Sequence, residues 1–247
     1  MSVDTETGKH MPKKSMLFEF DDEVIAVFEN MSRRSIVGYE HAYAMIGHFA
    51  SRMAWPSTGC EVWDFGTTIG KALHVIRQGA HLRPYIDYHG LDISEHSVAK
   101  TRAALPWATI HQHDLRNGLF PADRQPKAPV QMMVFGYTLQ FIEDKAHRAH
   151  LIEAAYDWLE PGGMLFVLEK YTLANAFLNE VAQDAYIQFR RDNGYSLEEI
   201  TAKSSALTNS MWPATPQFME RAMAEAGFED VHVLYRDLNF GGLVAIK

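Results

Sequence analysis

Past residue 60 the apolar positions of the chain fall into short runs separated by longer segments of helical period. Cys60-Glu-Val-Trp-Asp-Phe-Gly66 is one such run, and its final glycine predicts a strand and tight turn ahead of the helical pattern of Ile69–Gln78. Runs at Tyr85–Leu91, Ala108–His113, Val130–Phe135 and Met164–Glu169 predict further strands. Helices are predicted at Glu95–Ala104 and Lys145–Leu159, the second closed by the turn sequence Glu160-Pro-Gly-Gly163. Helix Thr215–Ala226, capped by Gly227, and strands Val231–Arg236 and Gly242–Ile246 finish the chain. Strands alternating with helices in this order predict an α/β fold, a doubly wound, seven-stranded and mostly parallel sheet.

Two helical stretches stand outside that alternation. From Phe20 to Met53 apolar residues such as Val24, Val27, Phe28, Tyr43 and Ile46 recur at helical spacing, broken around Ser35–Gly38. They predict an N-terminal helical cap over 16–57. Residues 172–212 are mostly helical and polar, with a stop at Asn193-Gly194, and read as a lid insertion over the carboxyl edge of the sheet. Residues 1–15 are polar and are expected to be a flexible terminus, leaving 16–247 as a single domain.

The balance of 23 basic and 31 acidic residues, a formal net charge of -8, gives no broad footprint for phosphate backbones, so direct nucleic-acid binding is not expected. The pairs Arg33-Arg34 and Arg190-Arg191 read equally as a small basic patch or as solvated helix surface. A single cysteine, Cys60, leaves neither a disulfide framework nor a thiol metal cluster. With no signal-peptide pattern and no apolar run of membrane-spanning length, a cytoplasmic location and no membrane partner are expected. His41 and His48, seven apart, are expected to pack or face solvent, and no metal is expected.

Ligands of open α/β sheets sit outside the carboxyl ends of the strands, where the strand order reverses. There, Asp64-Phe-Gly-Thr-Thr-Ile-Gly70 pairs an acid at the end of the first strand with glycines where backbone must approach a ligand. This is the turn pattern of proteins that bind S-adenosylmethionine (SAM), with Asp64, Gly66, Thr67 and Thr68 as its candidates, although plain strand-to-helix packing uses similar glycines. Asp92, followed by Ile93, ends the second strand, where a carboxylate accepts both ribose hydroxyls or caps the next helix. Asp114 and Leu115 end the third, placed for an adenine amine and ring. After the fourth strand, Gly136-Tyr-Thr-Leu-Gln-Phe141 should run along the methionine part of SAM, with Tyr137 either there or in the core and Phe141 expected in the core.

Over nearly its whole length the sequence also resembles the carboxy-S-adenosylmethionine synthases. The matching segments include Phe20-Asp-Asp-Glu-Val-Ile-Ala-Val-Phe28, Arg34-Ser-Ile-Val-Gly-Tyr39, Ala44-Met-Ile-Gly47, Thr138-Leu-Gln-Phe-Ile142, Pro161-Gly-Gly163, Glu169-Lys170, Asn193-Gly-Tyr-Ser196 and Asn239-Phe-Gly-Gly-Leu-Val-Ala-Ile-Lys247. The resemblance implies a class I SAM methyltransferase fold and a reaction on SAM itself. In that family a SAM-derived sulfonium ylide captures carbon dioxide released from prephenate, giving a carboxymethyl sulfonium used in transfer-RNA wobble modification. It further implies SAM contacts at Tyr39, Gly66, Asp92, Ile93, Asp114 and Leu115, and a homodimer through the lid.

Three positions depart from the family pattern. The glycine turn reads Gly66-Thr-Thr-Ile-Gly70, the family's asparagine after the fourth strand falls at Gly136, and the lid arginine that pairs with the new carboxylate falls at Ser204. Lys203 is adjacent, but neighbours on a helix point about 100° apart, so it is expected to face elsewhere. An enclosed carboxylate without a cation loses several kcal/mol of solvation, roughly, beyond what a hydroxyl offsets. The expectation is therefore another transformation of a small-molecule substrate, SAM. An example is cyclisation to azetidine-2-carboxylate with release of methylthioadenosine, the sulfonium held by the faces of Tyr39, Tyr137, Tyr171 and Tyr195 beside Ser204. Carboxy-SAM synthesis, methyl transfer to a small acceptor with Glu169 or His41 as base, and an inactive SAM sensor are the alternatives. Glu169 reads equally as half of a surface ion pair with Lys170.

Overall fold

The computed structural model describes residues 22–247, with side chains from Val27. The expected flexible segment 1–15, the first residues of the cap and the side chain of Val24 lie outside the described residues. Seven strands form one sheet: β1 (Cys60–Phe65), β2 (Ile86–Asp92), β3 (Thr109–Gln112), β4 (Val130–Gly136), β5 (Leu159–Lys170), β6 (Asp230–Asp237) and β7 (Phe240–Ile246). Their order is β3-β2-β1-β4-β5-β7-β6, and the first five run parallel while β7 is antiparallel to both neighbours. The order reverses between β1 and β4, which sets the ligand crevice at the carboxyl ends of those strands.

Helices α1 (Asp22–Ser35) and α2 (Tyr39–Arg52) form the cap, with Gly38 in the left-handed region between them. Helices α3 (Lys71–Gly79), α4 (Glu95–Ala104), α5 (Lys145–Trp158) and α8 (Pro216–Ala226) cover the sheet. One face packs Ile46, Val62, Leu73 and Val134, and the other packs Phe65, Leu151, Leu165 and Met219. Every residue of β1 is buried, as a central strand covered on both faces requires.

Strand β5 begins earlier than the sequence predicts. Leu159 already pairs with Val130, then Met164 pairs with Met132, so the Pro-Gly-Gly turn is a bulge within the strand instead of a boundary before it. The insertion holds α6 (Ala176–Asp192) and α7 (Leu197–Leu207), joined at Asn193-Gly194. Ser196 starts α7 with a reciprocal cap, its hydroxyl accepting from the Glu199 amide while the Glu199 carboxylate accepts from its own. Among the described residues no helix is long and apolar enough to cross a membrane.

Candidate active site

A cavity of about 570 Å³ opens at the carboxyl ends of β1, β2 and β4, beneath α1, α6 and α7. That is the size of a small-molecule site. The turn after β1 forms its floor. Gly66 and Thr67 both donate their amides to the Leu91 carbonyl, at 2.8 Å each, and the Thr101 hydroxyl holds the Thr68 carbonyl at 2.6 Å. Gly66 has φ +76, and a Cβ there would lie 2.2 Å from Thr138 Oγ1, so any side chain at this position is strained and displaces Thr138. Thr67 and Thr68 line the cavity beside it.

Asp92 closes the floor on the β2 side. Its two carboxylate oxygens accept from the Thr68 and Ser94 amides, each at 2.9 Å, which fixes the carboxylate while leaving lone pairs toward the cavity. Burial raises its pKa and those amide donors oppose the rise. Ser94, not Asp92, caps α4. Ile93 and Leu115 line the cavity, as does Asp114, whose carboxylate accepts a bidentate grip from Arg116. Burial pushes Asp114 upward, but Arg116 outweighs it and holds the carboxyl below its ordinary range.

Asp64 does not reach the cavity. It lies buried under the turn and accepts the Thr67 hydroxyl at 2.8 Å. Burial, with the charge of Asp92 adding and the Thr67 hydrogen bond opposing, pushes it up to about 7. Its place is to brace Thr67, so the expectation of a direct contact is corrected.

The four tyrosines divide into two pairs. Tyr39 and Tyr137 line the cavity, their rings stacked at 6.2 Å, and Tyr137 anchors its hydroxyl on Tyr235 at 2.7 Å. Tyr171 is fully buried behind the site with Arg236 over its ring, and Tyr195 stands outside the cavity wall with its face given to Arg34 and Lys203. Neither Tyr171 nor Tyr195 lines the cavity, so neither presents its ring to a sulfonium held there. Phe141, expected in the core, lines the cavity. Ser204 also lines it, but its hydroxyl donates to the Ile200 carbonyl one turn back at 2.8 Å. Glu169 is neither a surface ion pair nor a wall residue: it is fully buried and burial pushes it up to about 8. His41 is exposed on α2.

The lid is not neutral. Lys203 is 8% exposed, lines the cavity and donates to Ser35 Oγ at 3.0 Å. Lys170 and Arg190, the latter 5% exposed, line it too. Among the described residues none of the three has a carboxylate within ion-pair distance, and the Arg190 Nε is buried without a hydrogen-bond partner. Tyr186 instead lies against Lys170 at 4.7 Å and Arg190 at 4.3 Å. Burial, then the charges of Arg190, Lys170 and Arg34, lower Lys203 to about 7; burial and Arg190 lower Lys170 to about 8.

The expectation that Lys203 faces away is overturned for a geometric reason. The inward side of α7 carries Ile200, Lys203, Ser204 and Leu207, the i, i+3, i+4, i+7 stripe of a buried helical face, wide enough to hold two neighbours 100° apart. Lys170 and Arg190 were missed because each sits beside a like or opposite charge that reads as surface. The signal available was position: Lys170 ends a strand at the carboxyl edge, and Arg190 belongs to the lid. Gly136 lines the cavity with Tyr43, a residue that sequence reasoning left in the cap. Among the described residues no group of three or more His, Cys, Asp or Glu side chains is placed to hold a metal.

No family model matches the sequence. Solved structures resemble the fold at low identity. An O-methyltransferase family protein from Burkholderia thailandensis aligns with a TM-score of 0.60 at 14% identity, over 92% of this chain and 60% of its own. Human N-acetylserotonin methyltransferase in complex with SAM aligns at 0.55 and 15%, over 91% and 56%. Sequence relatives are nearer. The carboxy-S-adenosyl-L-methionine synthase of Chromohalobacter salexigens is 35% identical over 93% of this chain and 83% of its own length. Those of Aeromonas hydrophila and Pectobacterium atrosepticum are 33% and 32% identical, over 90% and 98% of their lengths. A class I methyltransferase sheet, a SAM-sized cavity at its switch point and relatedness along both chains place this protein in the carboxy-S-adenosyl-L-methionine synthase family, as a SAM-dependent enzyme.

Proposed function

We propose that the enzyme converts SAM to carboxy-SAM, taking the new carboxyl group from prephenate. The observation that carries this reading is the recess lined by Lys170, Arg190 and Lys203, two buried cations and one half-buried, none with an acidic partner among the described residues. Each loses solvation on burial and recovers it only against an anion, so the recess is built for a carboxylate. It supplies from neighbouring positions the charge missing at Ser204.

The other wall residues fit the rest of SAM. Asp92 faces the ribose hydroxyls, Asp114 and Leu115 the adenine, and Gly66 gives the backbone room to approach. The faces of Tyr39 and Tyr137 suit a sulfonium, at roughly 0.5–2 kcal/mol each. In the reaction the SAM methyl carbon gives up a proton and bonds to the carbon dioxide that prephenate releases, the proton leaving as water with the hydroxyl that prephenate sheds. The chain's part is to hold both anions, exclude water under the lid and keep the sulfonium against aromatic faces.

The same cations favour a second reading. Positive charge beside the methionyl group holds its α-amine unprotonated, the state that closes to azetidine-2-carboxylate and expels methylthioadenosine. Lys203→Met separates the two. Under the first reading it raises the KM for prephenate about ten- to a hundredfold, the loss of one buried ionic partner, with a smaller effect on SAM. A turnover indifferent to prephenate in both proteins would contradict that reading and favour the second. The homodimer implied by resemblance is also a proposal, supported by Phe177, Leu178 and Val181 standing exposed on α6.

A further inference from the structure

We infer that the hydroxyl of Tyr43 is a cofactor-contacting group that takes the place of a side-chain amide at Gly136. Gly136 ends β4 opposite Leu168 at the carboxyl edge of the sheet, on the cavity wall. A Cβ built there would lie 2.7 Å from the Tyr43 hydroxyl oxygen, while the next ring atom stands 3.7 Å away. The space a longer residue would enter is thus occupied by one oxygen atom.

Tyr43 sits one turn along α2 from Tyr39, on the same helical face, with the two rings edge to face at 5.0 Å. Its ring is buried and also meets Tyr137 at 6.4 Å. Its hydroxyl has no hydrogen-bond partner among the described residues, yet it is not sealed in the core, because Tyr43 lines the cavity. A buried tyrosine ordinarily finds a partner for its hydroxyl. Tyr137, its neighbour in the same aromatic cluster, finds one on Tyr235. The Tyr43 hydroxyl, aimed into the cavity at the end of β4, is left for the ligand.

The inference rests on SAM occupying this cavity, and calorimetric titration of SAM and of S-adenosylhomocysteine into the intact chain keeps the two claims apart. Wild-type protein that binds neither would overturn both. If wild type binds, Tyr43→Phe weakens SAM about five- to tenfold, the effect of one lost hydrogen bond. Gly136→Asn alone weakens it at least as much, because its side chain meets the tyrosine oxygen. The double variant, in which phenylalanine clears the space and asparagine supplies the amide, binds within about twofold of wild type. Melting temperatures of all four proteins check that they fold. Unchanged binding in Tyr43→Phe, or losses that simply add in the double variant, would overturn the inference.

Discussion

Under the proposed function, Lys203 would reduce stability and serve binding at once. Its pKa falls from 10.5 to about 7 in the fold, chiefly by burial. Between about pH 7 and about pH 10.5 the unfolded chain therefore holds a proton that the folded chain lacks, and this group's contribution to stability rises with pH. An anion needs the charged form, so its affinity moves the other way and falls as pH climbs above about 7. Calorimetry of prephenate binding, run near pH 7 in buffers of different ionisation enthalpy, should show proton uptake. Lys203→Met should keep or raise the melting temperature while weakening the anion, whereas a purely structural lysine would lose both. At Gly66 the expectation is one-sided: Gly66→Ala forces a side chain into φ +76 and onto Thr138, costing about 1–3 kcal/mol in denaturant unfolding. That Asp92 lines the cavity was legible in the sequence, because it ends a strand at the edge where the sheet order reverses. Asp64 looked alike but lies one layer deeper, a difference that depth alone decides.

Among the elements, α7 carries Lys203, Ser204 and Leu207 to the cavity on one face. Its reciprocal cap at Ser196 and Glu199 fixes where that face begins. Ser196→Ala should cost about 0.5–2 kcal/mol and raise the KM for prephenate more than that for SAM. In the proposed binding mode the adenosyl end lies at the ends of β2 and β3, and steady-state kinetics with each substrate varied in turn would show the split. The strands were readable from apolar runs bounded by glycine, proline and polar turns. The start of β5 was not, since a bulge carrying Pro-Gly-Gly looks locally like a turn, and only pairing with β4 reveals the strand around it. The lid was recognisable as helical, but its inward face was not, because two basic residues buried against tyrosines read as solvated charge.

For the whole molecule, the sheet order was implied by strand and helix alternation with a closing strand pair, and the cavity follows from where that order reverses. Loop and lid segments gave the family, and the relatives' coverage bears it out. What the sequence obscured was electrostatic: an acidic chain of net charge -8 gathers over this crevice three cations that have no acidic partner among the described residues. That gathering comes from folding, since Lys170, Arg190 and Lys203 lie on three different elements. The most direct measurement is mass spectrometry of the small molecules formed when the purified protein is incubated with SAM, with and without prephenate. A product heavier than SAM by one carboxyl group, appearing only with prephenate, is the predicted result. Methylthioadenosine with a four-membered imino acid in both incubations, or SAM unaltered in both, would contradict it.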